Sequence, residues 1–175
     1  MNWKSLDITL RMGCILMNAT NLWITVGAPG CGKSTWLKEN AKGPVVSRDE
    51  VRFSYMKDGE DYFANEKEVF AEYVNIIQKA IDDGVEHVYA DATHLNERSR
   101  YKLLNALRLN NARIHYLVFT TNIDTCLERN AKRTGRQLVP ESALKRMYYS
   151  FSDPSGDDKY HGIVHYINKD GEMID

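Results

Sequence analysis

Gly27-Ala-Pro-Gly-Cys-Gly-Lys33-Ser34-Thr35 fits the pattern GxxxxGK[ST], a loop whose successive backbone N–H groups wrap the phosphates of a nucleotide. Glycine lets such a loop turn back on itself, because no Cβ blocks left-handed backbone angles. Lys33 is expected to reach the β- and γ-phosphates of ATP, and the Ser34 hydroxyl to ligate Mg²⁺. Gly30, Cys31, Gly32 and Thr35 complete the expected nucleotide-binding set, mostly through their backbone. The bare pattern also suits a structural glycine-rich turn, so its flanks matter. Leu22-Trp-Ile-Thr-Val26 precedes it as an apolar, β-branched strand, and Thr35-Trp-Leu-Lys-Glu-Asn40 follows as a helix start. Strand, loop and helix in that order are what a nucleotide-binding loop requires.

Working outward, strands and helices alternate. Val45–Ser47 reads as a second strand, and Ser47-Arg-Asp-Glu-Val-Arg52 as a helix start. Residues 57–65 read as a polar loop, and 66–83 carry apolar side chains at helical spacing. Val85–Ala90 forms a third strand that delivers Asp91, and a helix capped by Asn96 runs to about Asn110. A fourth strand follows at Ile114–Thr120, helices at about 124–133 and 140–151, and a last strand at Ile163–Ile167 before a turn at Lys169–Glu172. The order predicts an α/β fold with a mostly parallel five-stranded sheet.

Composition agrees. With 175 residues, 43% of them hydrophobic and 27% charged, the chain suits one soluble globular domain, read here as residues 21–175. Residues 1–20 read as an N-terminal extension of no assigned role, with Met17 an alternative start and no secretory pattern. No run approaches the roughly 20 apolar residues that span a bilayer, so no membrane partner is expected. Cys14, Cys31 and Cys126 are widely spaced and read as free thiols of a reducing cytoplasm. A net charge of −1 leaves no global field for polynucleotides, so any contact with one needs a local basic groove. The oligomeric state is left open.

Ligands of such sheets bind beyond the carboxyl ends of the strands, so the polar residues there belong together. Asp49 and Arg52 share a helical face. A carboxylate there could accept the proton of an attacking hydroxyl while the arginine holds an anionic group. A helix-capping Asp with a surface Arg explains the same spacing. Asp91, followed by Thr93 and His94, has the position of a Walker-B-type acid near Mg²⁺, or of a plain turn residue. Arg129, Arg133 and Arg136, spaced i, i+4, i+7, predict a helical stripe that closes over the nucleotide, or a solvated face. The five histidines lack ligand spacing.

Four blocks across residues 22–151 resemble the kinase domain of phage 5′-hydroxyl polynucleotide kinases. They are Gly27–Thr35 with Trp36, Ser47–Arg52, Asp91-Ala-Thr-His-Leu-Asn-Glu-Arg98, and Glu128–Arg133 leading to Val139-Pro140 and Leu144–Tyr148. The resemblance implies a P-loop kinase-like, three-layer α/β/α sandwich with a helical lid at about 124–140, in the host cytoplasm if the gene is a phage's. It also implies an ATP- and Mg²⁺-dependent transfer to the 5′-hydroxyl end of RNA or DNA, a nucleic acid repair reaction. It implies Asp49 as general base, Arg52 on the acceptor's 3′-phosphate, Arg133 with Arg129 on the donor phosphates, and Asp91 with Thr93 on the substrate side. Lys33, Asp49 and Arg133 are then the catalytic residues, with Ser34 and Asp91 on the metal. No Asp-x-Asp-x-Thr motif is present, so 3′-phosphatase activity is not expected, and residues 152–175 are expected only to supply the last strand. The same layout also serves P-loop kinases of small molecules, nucleotide sugars or aminoacyl-tRNA, and a non-catalytic ATP-binding module.

Overall fold

The alternation within the first strand decides where the layers go. In the computed structural model, which describes residues 19–57 and 59–174, strand β1 (Thr20–Val26) buries Leu22, Ile24 and Val26 completely on one face. They pack with Tyr73, Ile77 and Ile81 of α3 (Glu66–Asp82) and Leu103 and Leu104 of α4 (Glu97–Leu104). The opposite face presents Trp23, Tyr89, Leu117, Phe119 and Ile167. These meet Trp36 and Leu37 of α1 (Lys33–Asn40), Cys126 of α5 (Ile123–Ala131) and Leu144 of α6 (Glu141–Tyr149). Two cores on two faces make the expected three layers, and burying each large apolar side chain contributes about 1.5–3 kcal/mol. The N-terminal extension up to residue 18, with Cys14 and Met17, lies outside the described residues. Among the described residues no helix is long and apolar enough to cross a membrane, and Cys31 and Cys126 are free, buried thiols.

The strands are β2 (Val45–Ser47), β3 (His87–Asp91), β4 (Ala112–Phe119), β5 (Ile163–Ile167) and β6 (Met173–Ile174), ordered β2-β3-β1-β4-β5-β6. Every pairing is parallel except β5 with β6. The five expected strands are present, and β6 adds a sixth. It forms because the turn expected at Lys169–Glu172 reverses the chain, with the Asn168 side chain accepting from the N–H groups of Asp170 and Glu172, each at 2.9 Å. Helix α4 stops at Leu104, short of the expected end near Asn110, and continues in i→i+3 bonds that keep Leu107 buried.

Residues 152–157 do more than lead to a strand. Arg100, wholly buried on α4, spends all five of its N–H donors there and on the loop after β3. Nε and Nη2 grip Asp157 at 2.6 and 2.5 Å, Nη1 reaches the carbonyls of Ser152 and His94, and Nη2 also meets the Ser152 hydroxyl. The clasp fixes His94, whose φ of 38° is left-handed and strained for a residue with a side chain.

Two predictions follow from this packing. Asp157→Ala strands the Arg100 charge and should cost about 3–5 kcal/mol of stability, read as a lowered urea midpoint. A loss under about 1 kcal/mol would show that Arg100 is compensated elsewhere. Burial holds His94 and His115 down at about 4, against the burden of charging them, while an unfolded imidazole titrates near 6.5. The unfolded chain therefore takes up protons first, so stability is complete above about pH 6.5 and is lost as pH falls toward about 4. The fall in urea midpoint over that window should be shallower in His115→Gln.

Candidate active site

The phosphate loop starts where β1 ends, and its path leaves little space for side chains. Gly30 (φ 83°) and Gly32 (φ 109°) are left-handed, and a Cβ on Gly30 would stand 2.5 Å from the carbonyl oxygen of Cys126. The loop is tied at both flanks: the Gly27 N–H donates to the Thr93 carbonyl at 2.9 Å, and the Thr121 hydroxyl to the Cys31 carbonyl at 2.8 Å. No side chain caps α1, so its first N–H groups stay available to an anion. Ser34 and Thr35 are exposed on that first turn. The Lys33 ammonium folds back on the loop, donating to the carbonyls of Gly27 and Ala28 at 2.9 and 3.0 Å.

Asp91 ends β3 as its backbone pairs with Ser47 of β2. Thr25, wholly buried in β1, donates to the Ala92 carbonyl at 2.8 Å, accepts from the Ala92 N–H, and has its hydroxyl 3.2 Å from Asp91 Oδ1. Burial raises the Asp91 carboxyl above the usual range, and Asp49 and Glu50 add to this, while Lys33 and Thr25 oppose it. Ser34, Ser47, Glu50 and Asp91 line one cleft of about 220 Å³ with Leu37, Lys38 and Val45. Its oxygen donors suit Mg²⁺, which binds through one or two carboxylates together with nucleotide phosphates rather than a protein cage. Among the described residues no group of three or more His, Cys, Asp or Glu is arranged to hold a metal alone.

Helix α2 (Arg48–Tyr55) carries the expected acceptor pair. Its cap is Ser47, which accepts from the Glu50 N–H, so Asp49 is not the capping residue. Nor is Arg52 a surface arginine, since it is only 6% exposed. Its Nη1 donates to Asp49 Oδ1 at 2.5 Å and to the Tyr62 hydroxyl at 2.9 Å, and Nη2 to Glu66 Oε2 at 2.8 Å. Arg48 pairs with the other Glu66 oxygen. Burial pushes the Glu66 carboxyl up, but the Arg52 hydrogen bond and the charges of Arg48 and Arg52 outweigh it and hold the group below its ordinary value. Burial lowers the Arg52 guanidinium, and the Glu66 hydrogen bond together with Tyr62, Asp49 and the Glu66 charge raises it above its ordinary value. Three buried polar atoms here find no partner: Arg48 Nε, Arg52 Nε and the Tyr73 hydroxyl.

The arginine stripe is not formed. Helix α5 ends at Ala131, because the Asn130 side chain hydrogen-bonds both backbone groups of Val139 and Gly135 turns left-handed (φ 59°). Arg133 follows the helix and Arg136 sits in a 3₁₀ turn, so only Arg129 stands on the helix. Arg129 lies over the phosphate loop, its Nη1 3.5 Å from where a Gly32 Cβ would be, and its Nη2 donates to the Lys169 carbonyl. His94 is buried beneath the site, its Nδ1 3.0 Å from the Thr25 carbonyl. The Thr93 carbonyl anchors the start of the loop. Tyr62 and Glu66 went unread, since neither the aperiodic polar stretch 57–65 nor the polar start of the helix after it hints at what it folds onto. Thr25 offered one signal, a lone hydroxyl in an apolar strand.

Residues 22–154 match the AAA domain family. Among curated proteins, the "Putative bifunctional polynucleotide kinase/RNA ligase" of Autographa californica nuclear polyhedrosis virus is 26% identical over 150 residues, 78% of this chain and 21% of the relative. The chain thus spans about a fifth of the length of the curated relative it matches. A chain from the Pnkp1/Rnl/Hen1 RNA repair complex superposes with a TM-score of 0.65 at 22% identity, over 76% of this chain and 44% of that one. A sugar kinase from Janibacter sp. superposes with a TM-score of 0.58 at 15% identity, over 86% of each chain. Both likenesses are of fold, an α/β sheet of mostly parallel strands between helices.

Gly30→Ala should abolish the loop's path, since the added carbon meets backbone that cannot yield. We expect a loss of about 1–3 kcal/mol in stability and no thermal stabilisation by ATP. An alanine variant that binds ATP like the parent would contradict the loop geometry.

Proposed function

Because the chain belongs to the AAA domain family, matched across residues 22–154, we propose that it is an ATP-dependent polynucleotide 5′-hydroxyl kinase. It would transfer the γ-phosphoryl group of ATP to the 5′-hydroxyl end of RNA or DNA. The observation that carries this proposal is the contact of Asp49 with Arg52, next to the cleft that holds Ser34, Glu50 and Asp91. A carboxylate beside the transferring group can take the proton of an incoming hydroxyl. The neighbouring guanidinium can turn to an anionic group on the same acceptor. The curated viral relative, named for polynucleotide kinase and RNA ligase activities, supports the choice of acceptor.

The roles divide along the sheet edge. Backbone N–H groups of Gly30–Thr35 would bind the donor phosphates, and Lys33 would leave its loop carbonyls to join the β- and γ-phosphates. Ser34 and Asp91 would hold Mg²⁺, directly or through water. When bound, Mg²⁺ neutralises charge on the phosphates. Asp49 would orient the acceptor hydroxyl in line and accept its proton, and Arg52 would hold the acceptor's 3′-phosphate. Arg129 and Arg133 would stabilise charge on the donor from the lid. The net charge of −1 favours a second reading, the same chemistry on a small anionic acceptor, because the chain as a whole carries no excess of positive charge to attract a long strand.

Incubation with γ-labelled ATP, Mg²⁺ and 5′-hydroxyl RNA or DNA oligonucleotides, alongside a panel of sugars and nucleosides, separates the two. Label on the oligonucleotide ends is expected. Label on a small molecule alone would overturn the polynucleotide assignment. Arg52→Ala should reduce kcat/KM for the oligonucleotide on the order of 100-fold, the effect of truncating one partner of a buried charge pair. Its ATP affinity should stay within about threefold of the parent, a difference under 1 kcal/mol. Equal losses in both would remove Arg52 from the acceptor side.

A further inference from the structure

The turn at residues 61–65 brings a hydroxyl to the candidate base. Tyr62 donates to Asp49 Oδ1 at 2.7 Å and accepts from Arg52 Nη1 at 2.9 Å, with its ring 4.4 Å from the guanidinium carbon. A general base must lie about 2.6–3.2 Å from the oxygen it deprotonates. The phenol therefore stands at the distance an acceptor alcohol would need, on the same carboxylate oxygen, and it also occupies a guanidinium donor that could hold the acceptor's anionic group. Burial, with the hydrogen bond to Asp49 next, pushes the phenol up to about 12, so the hydroxyl keeps its proton.

The support for this turn is mostly local, with one longer-range hydrogen bond from Asn65 Nδ2 to the Tyr55 carbonyl at 3.5 Å. Ala64 N–H donates to the Asp61 carbonyl, Glu66 N–H to the Phe63 carbonyl, and the Phe63 N–H to Asp61 Oδ1. Phe63 is 64% exposed and touches Tyr62 edge-on, so moving the turn uncovers mainly the part-buried Tyr62 ring, which lies edge-on to Phe53 and against Arg52. The Asp49 side chain is 64% exposed, and Arg52 keeps Nε without a partner. An incoming ligand can thus reach Asp49 directly, and the Nη1 donor of buried Arg52 once Tyr62 moves aside, without dismantling the core.

We propose that the Tyr62 hydroxyl is a resident surrogate for the acceptor hydroxyl, which keeps Asp49 and Arg52 satisfied until an acceptor carrying both a hydroxyl and an anionic group displaces it. This rests on the reading of Asp49 as the base. The device selects the acceptor. Water can take the place of one hydrogen bond at Asp49, but it brings no anion to Arg52, so it competes poorly with Tyr62. A 5′-hydroxyl nucleotide with a 3′-phosphate replaces both contacts. The reaction suppressed is hydrolysis: a water oxygen bonds to the γ-phosphorus, the bond to the β,γ-bridging oxygen breaks, ADP leaves with that electron pair, and the water proton passes to Asp49.

Tyr62→Phe tests the idea, because it keeps the ring over Arg52 and removes only the hydroxyl. Full-length parent and variant are compared with ATP and Mg²⁺, first without acceptor and then with a 5′-hydroxyl oligonucleotide. Acceptor-independent release of phosphate should rise about tenfold in the variant, the scale of one charge-assisted hydrogen bond. The oligonucleotide KM should fall severalfold, with ATP affinity unchanged and a thermal midpoint close to the parent's. Phosphate release within twofold of the parent would overturn the proposal, as would a raised KM, which would make Tyr62 an acceptor-binding residue. Label transferred from ATP to Tyr62 itself would also overturn it. The hydrolysis arm needs no acceptor, so it reads Tyr62 even if oligonucleotides prove not to be the substrate.

Discussion

The parallel pairing of β1 between β3 and β4 is the constraint from which the candidate site follows. Parallel strands put their carboxyl ends on one edge. Val26 closes β1 and opens directly into the phosphate loop, while the register sets Ser47 of β2 opposite Asp91 of β3. Helix α2 begins one residue after Ser47, so Asp49 is two residues beyond a backbone paired to Asp91. The separation of phosphate loop, Asp91 and candidate base is therefore fixed by backbone hydrogen bonding before any side chain is chosen. Thr25 secures the joint, with its hydroxyl on the turn after β3 and its carbonyl meeting His94.

Two buried arginines differ in how completely the fold pairs them. Arg100 has every donor satisfied and its charge met by a bidentate carboxylate, so nothing remains for a ligand. It behaves as a clamp that holds 152–157 against the loop after β3. Arg52 is nearly as buried, yet it retains an unpaired Nε and shares Asp49 with a phenol on a short turn. Burying charge with incomplete pairing is costly. Such incompleteness is retained most readily where a ligand completes it, which sets Arg52 apart from Arg100 in chemistry as well as position.

Much of the fold was legible because hydrophobic period and loop chemistry agreed at each step. Val45–Ser47 and Ile163–Ile167 form as read, and Asn96 caps α4 as expected. What escaped depends on contacts distant in sequence. β6 exists only because Asn168 holds a reversal that lets two residues pair with β5. The arginine stripe looked continuous in spacing, but Asn130 and Gly135 end the helix first. Within the site, the phosphate loop, Asp49, Arg52 and Asp91 could be gathered by their common position after strands. The partners of Arg52 could not: Tyr62 comes from an aperiodic polar stretch and Glu66 from the polar start of α3, and only folding brings both against α2.

Single-turnover transfer of the γ-phosphoryl group to a 5′-hydroxyl oligonucleotide by Asp49→Asn, at saturating ATP, tests the central claim most directly. Loss of a general base lowers such a rate by about 10²–10⁴-fold, and asparagine keeps the shape and one oxygen acceptor for Arg52 and Tyr62. A fall of that size with ATP affinity and thermal midpoint retained is the predicted result. Transfer at the parent's rate would contradict it and move the acceptor chemistry away from Asp49.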